Sequence, residues 1–241
     1  MRKVFKLLGI SVPVFHFAGA MAASCPDQFK EFIRNIPVHI EYQTELTGFP
    51  DNVVHFLGEG FGGGRVYLVR AKDGSNPFVI KEYFSGRYST TNDAVGLQIV
   101  EAATSGNTSS KQIRPVKVFD RLDETTLKLE HAPGTDFHRL ASMADPASRA
   151  RLARLFLRQI EALSRNLKIQ DPIEIDGTVY EILSKEIRYS RTPGFKDLVV
   201  VLTSKNQSPN RALNRANIEL WIKPENVVMT SDGRILVIDP K

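Results

Sequence analysis

The sequence predicts an α+β fold, rich in strands in its first half and carrying its longest helix later. Three stretches predict it. Asn52 to Tyr83 reads as strand, glycine-rich turn, strand, Asp73-Gly74 turn and strand. Asp145-Pro146 is an N-cap followed by a first-turn proline, and opens a helix that runs to about Asn166. Val227 to Asp239 is an apolar hairpin centred on Asp232-Gly233. Strands and helices that segregate along the chain, rather than alternating, argue for α+β over a parallel α/β sheet.

In chain order, residues 1–24 come first. Arg2, Lys3 and Lys6 precede an apolar run from Leu7 to Ala20, and small residues follow to Ser24. That is the order of a secretory signal peptide cleaved near Ala22 to Ser24, and it predicts a secreted or exported protein. An apolar N-terminal helix docked on the domain is the alternative. Pro26 to Asn35 has the spacing of a short amphipathic helix with Phe29, Phe32 and Ile33 inward, and Val38 to Tyr42 that of a strand. Asp93 to Ala103 is helical, with Val95, Ile99 and Ala102 on one face, and Lys117 to Leu129 gives two further strands. The 145–166 helix carries an apolar stripe of Leu152, Leu155, Phe156, Ile160 and Leu163. Ile169 to Asn217 mixes strand-like and helix-like pieces and has no assignable pattern.

The chain has 241 residues, 42% of them hydrophobic, enough for one compact unit or two small lobes. A net charge of +5 weakly favours acidic partners. No basic block interleaved with aromatics tracks a nucleic-acid strand, so none is expected as a partner. The single cysteine, Cys25, excludes an internal disulfide framework and a cysteine-based zinc cluster. The five histidines lack the spacing of zinc ligands. No second apolar run is long enough to span a bilayer.

Three constellations carry chemistry. The run from Leu57 to Val69 includes Gly58, Gly60, Phe61, Gly62, Gly63, Gly64 and Val66. Its glycines let backbone N–H groups approach phosphate oxygens, and flanking strands suit a lid over phosphates better than a dinucleotide turn. A flexible hairpin has the same composition. Next, Phe78-Val79-Ile80-Lys81 ends a strand at a hairpin's distance from that loop. Glu101, on the following helix, is placed to pair with Lys81 and hold it toward the α- and β-phosphates. Last, a turn centred between Asp232 and Gly233 places Asn226 opposite Asp239 at the open end of the hairpin. An amide oxygen beside a carboxylate is a hard ligand pair suited to Mg²⁺.

In this order, the three resemble the protein-kinase superfamily from Phe56 to the C-terminus, apart from Ile169–Asn217. The resemblance implies a two-lobed fold, with 25–130 as a β-rich N-lobe and 131–241 as a reduced helical C-lobe carrying an insertion at about 169–217. It implies ATP and Mg²⁺ as cofactors. In that scheme Lys81 and Glu101 form the phosphate-holding pair, Lys223 and Asn226 belong to the catalytic loop, and Asn226 and Asp239 hold the metal. Leu127 to Thr135 looks like the interlobe hinge, which places Glu130 beside the nucleotide. The brevity is similar to the minimal effector kinases, of the OspG/NleH kind, that bacteria inject into host cells. That likeness implies a protein substrate or partner, a host protein in the case of an effector.

Departures from the pattern matter. Where kinases carry His-x-Asp, whose aspartate accepts the substrate proton, this chain reads Glu219-Leu220-Trp221. Asp239 is followed by Pro240-Lys241 instead of Phe-Gly, and the glycine loop has one residue too many. Two readings follow. One is an atypical ATP-dependent phosphotransferase in which Glu219, Asp171 or Asp176 serves as base. The other is a pseudokinase that binds nucleotide or a partner without turnover.

Overall fold

The structure is a computed structural model and describes residues 29–36, 42–60, 64–84, 90–105, 113–169, 172–175, 177–204 and 218–240. The expected leader over residues 1–24, Cys25, the loop residues Phe61, Gly62 and Gly63, and the candidate bases Asp171 and Asp176 lie outside them. The fold is mixed α+β, dominated by three sheets.

The first sheet is antiparallel and has six strands. They are β1 (Tyr42–Thr44), β2 (Asn52–Gly60), β3 (Gly64–Ala71), β4 (Phe78–Tyr83), β6 (Val118–Arg121) and β7 (Thr126–Glu130), in the order β1-β2-β3-β4-β7-β6. Side chains alternate across a strand, so each apolar strand offers two faces. Val54, Phe56, Tyr67, Val69 and Ile80 close one face, with Leu46, Phe49 and Phe78 packed on them. The other face, with Val79, Tyr83, Leu127 and Leu129, joins the main core together with α2 (Thr90–Thr104). Lys81, between Val79 and Tyr83 in period, lies on this covered side.

Helix α2 buries Val95, Leu97, Ile99 and Val100, so more than one stripe is inward, whereas Ala102, expected on the buried face, is exposed. A helix covered from two directions does not show a single clean stripe. The second cover is the C-terminal segment. A Cβ on Gly96 would sit 2.6 Å from Pro240 Cγ and 3.0 Å from Leu220 Cδ2, so only glycine admits this approach without repacking.

A short α1 (Lys30–Arg34) buries Phe29 and Ile33. After β8 (Gly134–Asp136) comes α3 (Phe137–Met143), capped by Asp136, whose Oδ1 accepts from the Arg139 N–H at 2.7 Å. Helix α4 (Pro146–Asn166) starts where the sequence places it, and its five-residue apolar stripe is buried throughout. Asp145 Oδ1 accepts from the Ala147 and Ser148 N–H groups at 2.9 and 3.1 Å. Asp145→Ala is expected to cost about 1 kcal/mol, a fall of roughly 2–4 °C in thermal melting. At its other end, Lys185 reaches the Ser164 and Leu167 carbonyls, a cation against the negative end of the helix.

Lys185 comes from the stretch that sequence pattern leaves unassigned. Most of it is an antiparallel meander, β9 (Pro172–Ile175), β10 (Thr178–Tyr189) and β11 (Lys196–Ser204), completed by β12 (Ile218–Ile222) in the order β12-β11-β10-β9. Leu198, Val200 and Leu202 of β11 with Leu220 and Ile222 of β12 join the core that contains the α4 stripe. The third sheet, β5-β14-β13-β8, joins β5 (Ile113–Pro115) in parallel to the final hairpin, β13 (Val227–Thr230) and β14 (Ile235–Val237). Among the described residues no helix is long and apolar enough to cross a membrane.

Candidate functional site

Strand β4 ends at the N-terminal turn of α2, and the last hairpin delivers its C-terminal end to the same place. Lys81 stands there, 5% exposed, with its ammonium 2.6 Å from Asp93 Oδ2 and 2.9 Å from Asp239 Oδ2. It also lies 5.2 Å from the centre of the Tyr83 ring. Burial alone would pull the lysine's pKa down. The Asp239 and Asp93 carboxylates outweigh it and the net direction is up, so the ammonium stays charged. One buried cation faces two carboxylates, a locally negative arrangement that a further cation would relieve.

Glu101 is not the lysine's partner. It is exposed, a little over two turns beyond Asp93 on α2. Asp93 shares its helix face with Gly96 three residues on, the residue against which Pro240 packs. The face that meets Asp239-Pro240 is therefore the face of Asp93. The sequence held one signal for this, an acid in the first helical turn followed at i+3 by glycine.

The hairpin register also differs from expectation. Val227 pairs with Val237 and Met229 with Ile235, so the turn spans Ser231 to Gly233, with Gly233 at φ 88°. A three-residue turn with glycine in the left-handed region replaces the expected two-residue turn. Asn226 consequently lies opposite Ile238, whose N–H donates to the Asn226 carbonyl at 2.9 Å, and Asp239 falls one residue beyond. The two expected metal ligands remain close in the chain path but are not cross-strand partners. Asn226 Nδ2 donates to the Trp221 carbonyl at 3.4 Å, and the Trp221 N–H donates to the Pro240 carbonyl at 2.9 Å, which fixes both sides of the site to β12.

Neither the known protein-family models nor the curated proteins give a match to this chain.

The remaining expected residues divide. β2 and β3 pair out to Gly60 opposite Gly64, with a bulge at Leu57, between Phe56 and Gly58, and an Arg65–Glu59 ion pair at 3.2 Å near the tip. Val66 is the cross-strand neighbour of Lys81. Val66, on the strand that follows the glycine loop in the chain, and Lys81 on β4 thus share one face of the sheet. Glu130 is engaged by groups of the protein itself. Its carboxylate takes a two-pronged contact from Arg114 at 2.8 and 3.0 Å, the Lys117 N–H at 3.1 Å and Arg234 at 3.4 Å. Burial pushes its pKa up, but Arg114 and the other donors carry the net direction down. It ties the first sheet to the third.

Glu219 is exposed and accepts from the Trp221 indole N–H at 3.2 Å. Lys223 lies with its ammonium 5.0 Å from the Trp221 ring centre, and Arg188 lies 5.7 Å from it, so two cations approach the indole. Glu219 therefore braces the indole on the outer face of the second sheet, two residues along β12 from Trp221.

Whether a metal fits can be judged on Asp239. Its Oδ2 meets Lys81, while its Oδ1 is buried with no hydrogen-bond partner among the described residues. Such an oxygen is costly unless something approaches it, and a divalent cation is a chemically suitable occupant. Among the described residues no group of three or more His, Cys, Asp or Glu side chains is gathered as for an all-protein metal cage. Mg²⁺ does not need one, since it binds through one or two protein oxygens, water and substrate phosphate.

Proposed function

We propose that the protein is an atypical ATP- and Mg²⁺-dependent protein kinase, with residues 25–130 as a β-rich N-lobe and 131–241 as a reduced C-lobe. The observation that carries this reading is Lys81. It stands beside Val66 on the hairpin of the glycine loop, buried between an acid from the next helix and an acid that follows the last hairpin. A structural ion pair needs one partner; a lysine shared by two acids beside a glycine-rich hairpin suits a site that takes phosphate and metal. Asp93 would keep Lys81 oriented toward the α- and β-phosphates. Asp239 and Asn226 would hold Mg²⁺, whose contribution is to neutralise charge on the phosphates. The hydroxyl acceptor would be on a protein. The leader-like order of residues 1–24 adds the proposal that the protein is exported and, as an effector, meets a host protein.

A second reading, a pseudokinase that binds nucleotide without turnover, is favoured by Trp221 at the position where a kinase has its proton-accepting aspartate. The two share a first test. Mg-ATP at a hundred times its Kd is expected to stabilise the protein by about 2.7 kcal/mol, a rise of roughly 5–11 °C in melting temperature. No shift with millimolar Mg-ATP on folded protein would overturn both. A shift without transfer to itself or to added protein would leave the pseudokinase.

A further inference from the structure

Helix α4 carries a second stripe that the core does not use. Its helical period turns Leu152, Leu155, Phe156, Ile160 and Leu163 inward. On the flank of that face it lines up Pro146, Ala150, Ala153 and Leu157, spaced i, i+4, i+7 and i+11. These four are apolar, yet Pro146 and Ala150 are exposed and Ala153 and Leu157 only half-buried. They floor a groove of about 320 Å³. Its far wall is the Pro193-Gly194 turn between β10 and β11. The small side chains of Ala150 and Ala153 leave the space open, and nothing lies within 4 Å of where a Gly194 Cβ would stand.

The groove is preformed. The Phe195 N–H donates to the Thr192 carbonyl at 3.0 Å, and the Thr192 hydroxyl lies 2.9 Å from His138 Nδ1. The Phe195 ring packs on Phe137 and Phe156. The wall is thus tied to α3 and α4 from behind. A rigid recess costs a ligand less ordering than a mobile one.

Its rims are basic. Arg149 and Arg154 line it, on opposite sides of the apolar stripe by the helical period. The Arg149 Nε donates to the Ala141 carbonyl at 2.9 Å, which anchors the guanidinium. Arg158 follows one turn after Arg154. Among the described residues no carboxylate forms an ion pair with any of these three arginines. The acids on this side are Asp145 and Glu161, at the two ends of the stripe, and Asp145 is engaged by the first N–H groups of the helix.

An apolar floor between two guanidiniums is complementary to a segment whose carboxylates flank an aliphatic or aromatic side chain, because the guanidinium fork matches a carboxylate. A second copy of this chain is poorly suited, since the net charge is +5 and two arginine-lined faces repel. The parts of the chain outside the described residues hold only isolated acids, Asp27, Glu41, Asp171 and Asp176. A flat anionic bilayer does not fill a recess walled by a turn, and no aromatic side chain lines the groove to stack a base.

We propose that this groove docks an acidic segment of a partner protein. One apolar side chain of that segment sits on the floor of Ala150, Ala153 and Leu157, and carboxylates before and after it meet Arg149 and Arg154. The proposal is independent of the kinase reading, since the groove shares no residue with the Lys81 site. The recess is small, so the contact is of the transient class.

The test pans a random peptide library, displayed on phage, on the full chain. The selected peptide is then synthesised with a fluorescein label and titrated by polarisation. Selection is expected to yield peptides in which acids flank an aliphatic or aromatic residue. Ala150→Phe fills the recess and Arg154→Glu reverses one rim. Both positions are exposed, so both variants should melt close to wild type. Each is expected to weaken the peptide by about tenfold. Binding to wild type should also weaken as NaCl rises, because exposed charges are screened. Neutral or basic selected peptides, no selected peptide, or wild-type affinity in either variant would overturn the proposal. Salt-insensitive binding to wild type would overturn it whatever the variants do. Vesicles of phosphatidylserine and phosphatidylcholine run in parallel. If they bind wild type and not Arg154→Glu while no peptide is selected, the occupant is a membrane and the proposal fails.

Discussion

Lys81→Met is expected to destabilise the protein by about 3–5 kcal/mol at neutral pH, a drop of roughly 6–20 °C in melting temperature. Methionine fills much of the same volume, so the loss is electrostatic. Asp93, 2% exposed at its side chain, and Asp239, 27% exposed, lose the cation 2.6 and 2.9 Å away and are left near each other. The pH dependence distinguishes this from a packing defect. In wild type the lysine's folded pKa is raised, because the two carboxylates outweigh burial. Its stabilisation is thus fully present below the ordinary lysine value and is lost as pH rises through the folded one. Lys81→Met has no such alkaline loss. It should instead recover stability on the acid side, where protonation relieves the abandoned carboxylates. Calorimetric melts across pH for both proteins check this; parallel curves would mean that the pair contributes nothing. The Mg-ATP shift should vanish in the variant, since the proposed phosphate-holding group is gone.

Phe156→Ala is expected to cost about 3–5 kcal/mol. Phe156 is fully buried on α4, with ring centres 5.1 Å from Phe137 of α3 and 5.7 Å from Phe195 at the start of the β11 segment. Phe137 and Phe195 also meet, at 6.4 Å, so the three rings close a small cluster whose core cannot easily collapse into the space left. Phe195 stands two residues before Asp197, and its N–H and carbonyl bond Thr192 and Ser190. Loosening it should disorder the turn that leads into β11. Chemical unfolding measures the stability; a cost under about 1 kcal/mol would show that the cluster repacks.

The α+β class and several of its elements were legible in the residues because their causes are local. Asp145-Pro146 sets the start of α4 with its own carboxylate and ring, and the 3.6-residue stripe from Leu152 to Leu163 fixes the face that is buried. The alternation across Asn52–Tyr83 and its glycine turns define β2, β3 and β4 without help from elsewhere. Lys81, Asn226 and Asp239 were legible as candidates because charged and amide side chains end otherwise apolar strands. Shorter pieces such as α3 escaped because seven residues show too little period to read.

What only the tertiary structure decided is how those residues meet. The lysine's partner on α2 is Asp93 rather than Glu101, because the close packing of Pro240 on Gly96 selects that helix face. The hairpin register moved by one residue because Thr230 and Arg234 close a three-residue turn, and in a strand one residue changes which side chain lies opposite which. Glu130 was taken up by Arg114 and Arg234, residues distant in sequence until the third sheet forms. The 172–222 meander carries no clean alternation, since β11 is buried on both faces, and a strand covered on both sides reads as a continuous apolar run. Sequence by itself therefore determined which elements form and which residue types are available for chemistry. Packing between elements far apart in the chain determined which carboxylates face the lysine.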